Sequence, residues 1–107
     1  MNKHLIAPSI LSADFSKLQS EIEMINNSDA DWFHIDIMDG VFVPNISFGT
    51  PVMKAISKYA KKLLDVHLMI VDPERYIEHF VNFGSDIITV HFEACNDLSL
   101  VIKKIKK

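Results

Sequence analysis

The stretch His34-Ile-Asp-Ile-Met-Asp-Gly-Val-Phe-Val-Pro-Asn45 reads as a β-strand that ends at Met38-Asp39-Gly40 and opens into an irregular loop. Successive side chains of a strand point to opposite faces, so His34 and Asp36, two residues apart, project from the same one. An imidazole and a carboxylate at the end of a strand stand at the mouth of a fold, where α/β proteins build their sites.

The flanking sequence sets that strand in a repeating order. Leu5 to Leu11 is short and apolar, broken by Pro8 and Ser9, and is expected to be a strand followed by a loop in which Ser12 or Asp14 caps a helix. Phe15, Leu18, Ile22 and Ile25 recur at helical spacing, which predicts an amphipathic helix ending near Asn26-Asn27. Trp32 to Ile37 is the second strand, and Val52, Ile56 and Tyr59 or Ala60 mark the helix after the Pro44 to Pro51 loop. Leu63 to Met69 gives a third strand. Asp72-Pro73-Glu74 starts a third helix with its apolar stripe on Ile77, Phe80 and Val81, and Gly84 suits its C-terminal cap. Asp86 to Phe92 is a fourth strand; Leu98, Val101, Ile102 and Ile105 form a fourth helix whose closing lysines, Lys103 to Lys107, complement its dipole. Four βα units with short connections imply a parallel sheet, either doubly wound or part of a closed barrel. With glycine at Gly40, Gly49 and Gly84 alone, neither a dinucleotide fingerprint nor a phosphate-binding P-loop can be written.

Composition narrows the function. A chain of 107 residues, 49% hydrophobic and 23% charged, suits one modest soluble domain rather than a disordered one. The net charge of -3, with both signs mixed along the chain, offers no field for a nucleic-acid backbone or an anionic membrane. No apolar run approaches the roughly 20 residues that span a bilayer. The single cysteine, Cys95, has no partner for an internal disulfide, and there is no signal-peptide pattern, so a cytoplasmic location and a small-molecule partner are expected.

The chemistry-bearing residues cluster at strand ends. His67 shares a face with Asp65 and Met69, and if its strand lies beside that of His34 and Asp36, two imidazoles and a carboxylate supply three of the four ligands of a zinc-, iron- or manganese-type ion. The same spacing fits hydrogen-bonded structural histidines, and spacing does not choose between them. Asp36 suits a general base beside a polarised carbonyl, or a carboxylate satisfied by backbone donors. Ser9 can meet a polar ligand or bond its own turn. Met38 and Met69 can fill core or wall a substrate pocket. His91 and Glu93 repeat the His-x-acid spacing but rank below the first pair, because Glu93 falls beyond the expected strand end. Cys95 has no basic neighbour in sequence to activate it, and His4 and His79 read as surface residues.

Taken together, Ala7 to Phe15, the string His34 to Gly49, and Asp65-Val-His-Leu-Met69 with Pro73 resemble the ribulose-phosphate 3-epimerase family over the length of the chain. The resemblance implies a TIM (β/α)8 barrel with one divalent metal ion (Zn, Fe, Mn or Co) that interconverts D-ribulose 5-phosphate and D-xylulose 5-phosphate. By that resemblance His34, Asp36 and His67 are metal ligands, Asp36 is also one of two acid/base aspartates, Ser9 and His67 contact substrate, and Met38 and Met69 line the reacting centre. Inverting a carbon beside a ketone removes a proton from one face and returns one to the other, so two carboxylates are required, with the metal stabilising the enediolate between.

A full barrel takes about 250 residues, or somewhat over 200 when compact, and its phosphate grip usually lies after strands seven and eight. Residues 1–107 are therefore expected to be a parallel (βα)4 N-terminal half-barrel, without the family's second aspartate or its phosphate loops, and inactive or nearly so alone. Exposed strand edges predict a homo-oligomer or reliance on a C-terminal half-barrel. The alternatives are an allulose-6-phosphate-type epimerase, against which Asn45-Ile-Ser-Phe-Gly49 looks more like the pentose branch, and a non-catalytic metal-binding half-barrel.

Overall fold

A computed structural model describes residues 4–106; Lys107, the last of the closing lysines, lies outside them. Strands β1 (Trp32–Met38), β2 (Leu63–Met69) and β3 (Ile87–Val90) form one parallel sheet in that order. Helices α1 (Leu18–Asn26), α2 (Thr50–Tyr59), α3 (Ile77–Asn82) and α4 (Leu98–Lys106) alternate with them. The register pairs Phe33 with Leu64, Ile35 with Val66 and Ile37 with Leu68. These six residues are buried, in one cluster with Ile22 and Ile25 of α1, Met53 and Ile56 of α2, Ile77 and Phe80 of α3, and Val101 of α4. The alternate residues of β1, from Trp32 through His34 and Asp36 to Met38, are half-buried. A parallel sheet with helices packed on one face and polar side chains on the other is a sector of a barrel; a doubly wound sheet carries helices on both faces. Among the described residues no helix is long and apolar enough to cross a membrane.

Three expectations are corrected. Leu5 to Leu11 forms no strand. Residues 4–8 run beside β1, accepting the N–H groups of Asp31 and Trp32 on Ile6 O and that of His34 on Pro8 O, with an isolated bridge from Ser9 to His34. Pro8 has no N–H to continue a ladder, and the Ser9 carbonyl already accepts from Ser12 in a 3-10 turn over Ile10–Ser12. The fourth predicted strand is shorter than Asp86 to Phe92. At its start the Asp86 carboxylate accepts from Leu64 N, and at its end the His91 carbonyl turns to accept from Ala94 N, closing a 3-10 turn over Phe92–Ala94. The first and third helices are each preceded by a separate 3-10 turn. Asp14 caps the turn Phe15–Lys17 through Ser16 N, and Pro73 opens the turn Pro73–Arg75, after which Tyr76 leaves helical geometry and caps α3.

Gly84 behaves as a helix stop should. Its φ is +95°, its N–H reaches Val81 O, and the Ser85 N–H reaches back to Phe80 O. A Cβ there would lie 2.7 Å from Ser57 Oγ of α2. Gly84→Ala is expected to destabilise the protein by about 1–2 kcal/mol, most of it backbone strain. Urea denaturation checks this: adding Ser57→Gly should restore only a minor part of the loss, and full recovery would show that the contact with Ser57, rather than the backbone, is the constraint.

Candidate metal centre

The register that buries the apolar faces also builds the site. His34 lies beside Asp65, Asp36 beside His67 and Met38 beside Met69, so the polar faces of β1 and β2 meet rung by rung. His34 Nδ1 stands 2.9 Å from Asp65 Oδ2, and its Nε2 stands 3.0 Å from Asp36 Oδ1. The same Asp36 oxygen lies 3.1 Å from His67 Nδ1. Ser9, held beside His34 by its bridge, donates its hydroxyl to Asp36 Oδ2 at 2.7 Å and accepts the Leu11 N–H of its own turn.

Two loops frame this face. The Asp39 carboxylate accepts from Val41 N and Phe42 N with one oxygen and from Val71 N with the other, tying the loop after β1 to the loop after β2. Desolvation works to raise the Asp39 carboxyl, but these three N–H groups outweigh it and hold it below the ordinary carboxylate value. Ser47 fastens the loop after β1 to the strand end, donating to Asp36 O and accepting from Met38 N.

The electrostatics follow from the contacts. Burial works to lower the His34 pKa, yet the Asp65 hydrogen bond, with the charge and hydrogen bond of Asp36, raises it overall. Burial works to raise the Asp36 carboxyl, but the Ser9 hydroxyl, the His34 charge and the hydrogen bonds from His67 and His34 hold it below its ordinary value. Asp36 is therefore ionised near neutrality, and His34, with a carboxylate at each ring nitrogen, favours a cation at its Nε2 side: its own second proton or a metal ion.

Among the described residues, His34, Asp36 and His67 form the group whose ligand atoms, one from each, lie within 4.8 Å of one another. Nitrogen and carboxylate donors converging on one point suit a borderline divalent ion, and Asp65 behind His34 Nδ1 is the kind of outer carboxylate that orients a ligating imidazole. Residues Ser9, His34, Asp36 and His67, expected from sequence, come together here. Met38 and Met69 stand one rung further along, half-buried. His4 and His79 are exposed. Sequence reasoning gave no role to Asp65 or Ser47 and ranked His91 low. His91 lies with its Nε2 2.7 Å from His67 Nε2, while Glu93 is an exposed side chain. The signal for Asp65 was its two-residue spacing from His67; its value depended on knowing which residue of β1 it would face.

A family model described as the ribulose-phosphate 3 epimerase family matches residues 5–107. The chain is 56% identical over 94 residues to a ribulose-phosphate 3-epimerase of Synechocystis sp., covering 87% of this chain and 41% of that protein. It is 50% identical over 102 residues to the Bacillus subtilis ribulose-phosphate 3-epimerase, covering 95% and 47%. A chloroplastic ribulose-5-phosphate-3-epimerase of Arabidopsis thaliana is 44% identical over 96 residues, covering 90% and 34%. The chain thus spans less than half the length of these curated relatives.

The shifts of His34 and Asp36 bear on how the metal-free protein responds to pH. A raised His34 pKa contributes stability that is complete below its ordinary value, about 6.5, and is lost as pH rises through the higher folded value. A lowered Asp36 pKa contributes stability that is complete above its ordinary value, about 3.9, and is lost as pH falls through the lower folded value. In chelator-treated protein the melting temperature is expected to decline on the alkaline side, and His34→Gln should flatten that decline. An alkaline slope unchanged in His34→Gln would show that this contact does not stabilise the fold.

Proposed function

Because the chain belongs to the ribulose-phosphate 3-epimerase family, we propose that residues 1–107 supply the metal-binding side and one of the two proton-transfer carboxylates of an enzyme that interconverts D-ribulose 5-phosphate and D-xylulose 5-phosphate. The observation that carries this reading is the convergence of His34, Asp36 and His67 on one face of adjacent parallel strands. A divalent ion held by the three, of the zinc, iron, manganese or cobalt type, would supply the positive charge that offsets the charge growing on the ketose oxygens as the C3 proton leaves.

The chain's own residues account for one face of the reaction. Asp36, kept ionised by its neighbours, is in the form that accepts a proton. Ser9 fixes the orientation of that carboxylate through Oδ2 and offers its hydroxyl to a polar substrate. Met38 and Met69, one rung above, wall the carboxylate against water with polarisable thioethers. The other strand carboxylate of the cluster, Asp65, stands behind His34 and faces its Nδ1, so it is placed to orient the imidazole rather than to work the opposite face of a substrate. The second acid and the phosphate grip are accordingly assigned to a C-terminal half-barrel outside these residues, and the site to a cytoplasmic enzyme.

The test uses the native product that carries this sequence, its intact mass determined, beside purified 1–107. With added divalent metal the native product is expected to turn over D-ribulose 5-phosphate in preference to allulose 6-phosphate. Asp36→Asn should lower its kcat by about 10²–10⁴-fold, and 1–107 alone should be inert. Undiminished turnover by Asp36→Asn would remove Asp36 from the chemistry, and full turnover by 1–107 would refute the assignment of the second acid to another segment.

A further inference from the structure

His91, which has no part in the triad, is placed to decide what the triad can hold. Its Nε2 lies 2.7 Å from His67 Nε2, and the two rings meet edge to edge, with centroids 4.9 Å apart and planes at 27°, so the nitrogens face each other in the ring planes. Phe42, from the loop after β1, packs against the His91 ring with centroids 5.1 Å apart. On its other nitrogen, His91 Nδ1 stands 4.0 Å from Glu93 Oε2, within ion-pair range but too far for a hydrogen bond.

Two ring nitrogens at 2.7 Å need one proton between them, since two lone pairs or two N–H groups repel. When both rings are neutral, two arrangements satisfy the pair. In the first, His67 carries its proton on Nδ1 and donates it to Asp36, while its Nε2 accepts from His91. In the second, His67 carries its proton on Nε2 and donates it to His91, whose own proton then sits on Nδ1 on the Glu93 side. The second turns the Nδ1 lone pair of His67 toward Asp36 Oδ1, 3.1 Å away, an arrangement that is repulsive unless a cation lies between them. Passing from the first to the second breaks two N–H bonds and forms two, each ring exchanging one proton with solvent, with no net gain or loss.

We propose that His91 is a positioning residue that accepts the Nε2–H of His67 and so holds that imidazole in the tautomer whose Nδ1 is free to ligate a divalent cation, with Glu93 favouring the required Nδ1–H on His91. This rests on the reading of His34, Asp36 and His67 as a metal site. Outer partners of ligating histidines characteristically fix the tautomer and ring orientation in this way. Phe42 packs against the His91 ring, so the loop after β1 helps to hold that ring in place.

The experiment measures zinc affinity by chelator competition for the wild-type protein, His91→Phe and His91→Gln, together with long-range ¹H–¹⁵N spectra of the histidine rings. His91→Phe keeps an aromatic ring against Phe42 but removes the acceptor, and is expected to weaken zinc binding by about 10–100-fold, whereas His91→Gln, which keeps an acceptor oxygen, should stay closer to wild type. In zinc-loaded wild-type protein His67 should be protonated on Nε2 and His91 on Nδ1, a readout that stands even if a variant fails to fold. Unchanged zinc affinity in folded His91→Phe, or a zinc-loaded His67 protonated on Nδ1, would overturn the role of His91 while leaving the triad intact. A wild-type protein that binds no zinc or cobalt would overturn the triad itself, and the role of His91 with it.

Discussion

Everything in this molecule depends on the in-register parallel pairing of β1 with β2. Because side chains alternate along a strand, one register decides two things at once. It sends Phe33, Ile35, Ile37, Leu64, Val66 and Leu68 into the helices, and it sets His34 against Asp65 and Asp36 against His67 on the reverse. A slip of one residue would turn the imidazoles and carboxylates toward the helical layer and the isoleucines toward the site. The core therefore enforces the chemistry: the apolar burial that fixes the register also fixes the distances among the donors.

The polar face is stable because its groups satisfy one another. Asp36 receives contacts from Ser9, His34 and His67, and His34 is shared between two carboxylates. A half-buried carboxylate without such donors would be driven toward its neutral form. The arrangement that keeps Asp36 ionised also gathers nitrogen and oxygen donors around one point, so the contacts that hold this face together without metal are made by the residues that would hold a metal ion.

Much of this was legible in the sequence, for identifiable reasons. The two-residue spacing of His34 and Asp36, and of Asp65, His67 and Met69, gave the shared faces directly, and the helical stripes of Ile22, Ile25, Ile56, Ile77, Phe80 and Val101 named residues that are now buried. The misses lie where one backbone group has competing partners. Leu5 to Leu11 has the composition of a strand, but Pro8 lacks a donor and the Ser9 carbonyl is taken by a turn. The end of β3 was overestimated because the His91 carbonyl closes a turn instead of extending the ladder. His91 itself was ranked low because its contact to His67 runs diagonally to the neighbouring strand from just beyond the end of β3, and spacing along the chain does not reveal it.

The Asp39 tie between the loops after β1 and β2 bears on how the site moves. One carboxylate holds Val41 and Phe42 on one side and Val71 on the other, and Ser47 anchors the first of these loops to the strand beneath it. Neither loop can swing outward without breaking the tie or carrying the other with it. Motion at this edge of the His34–Asp36–His67 cluster thus couples two linked segments rather than engaging two independent ones.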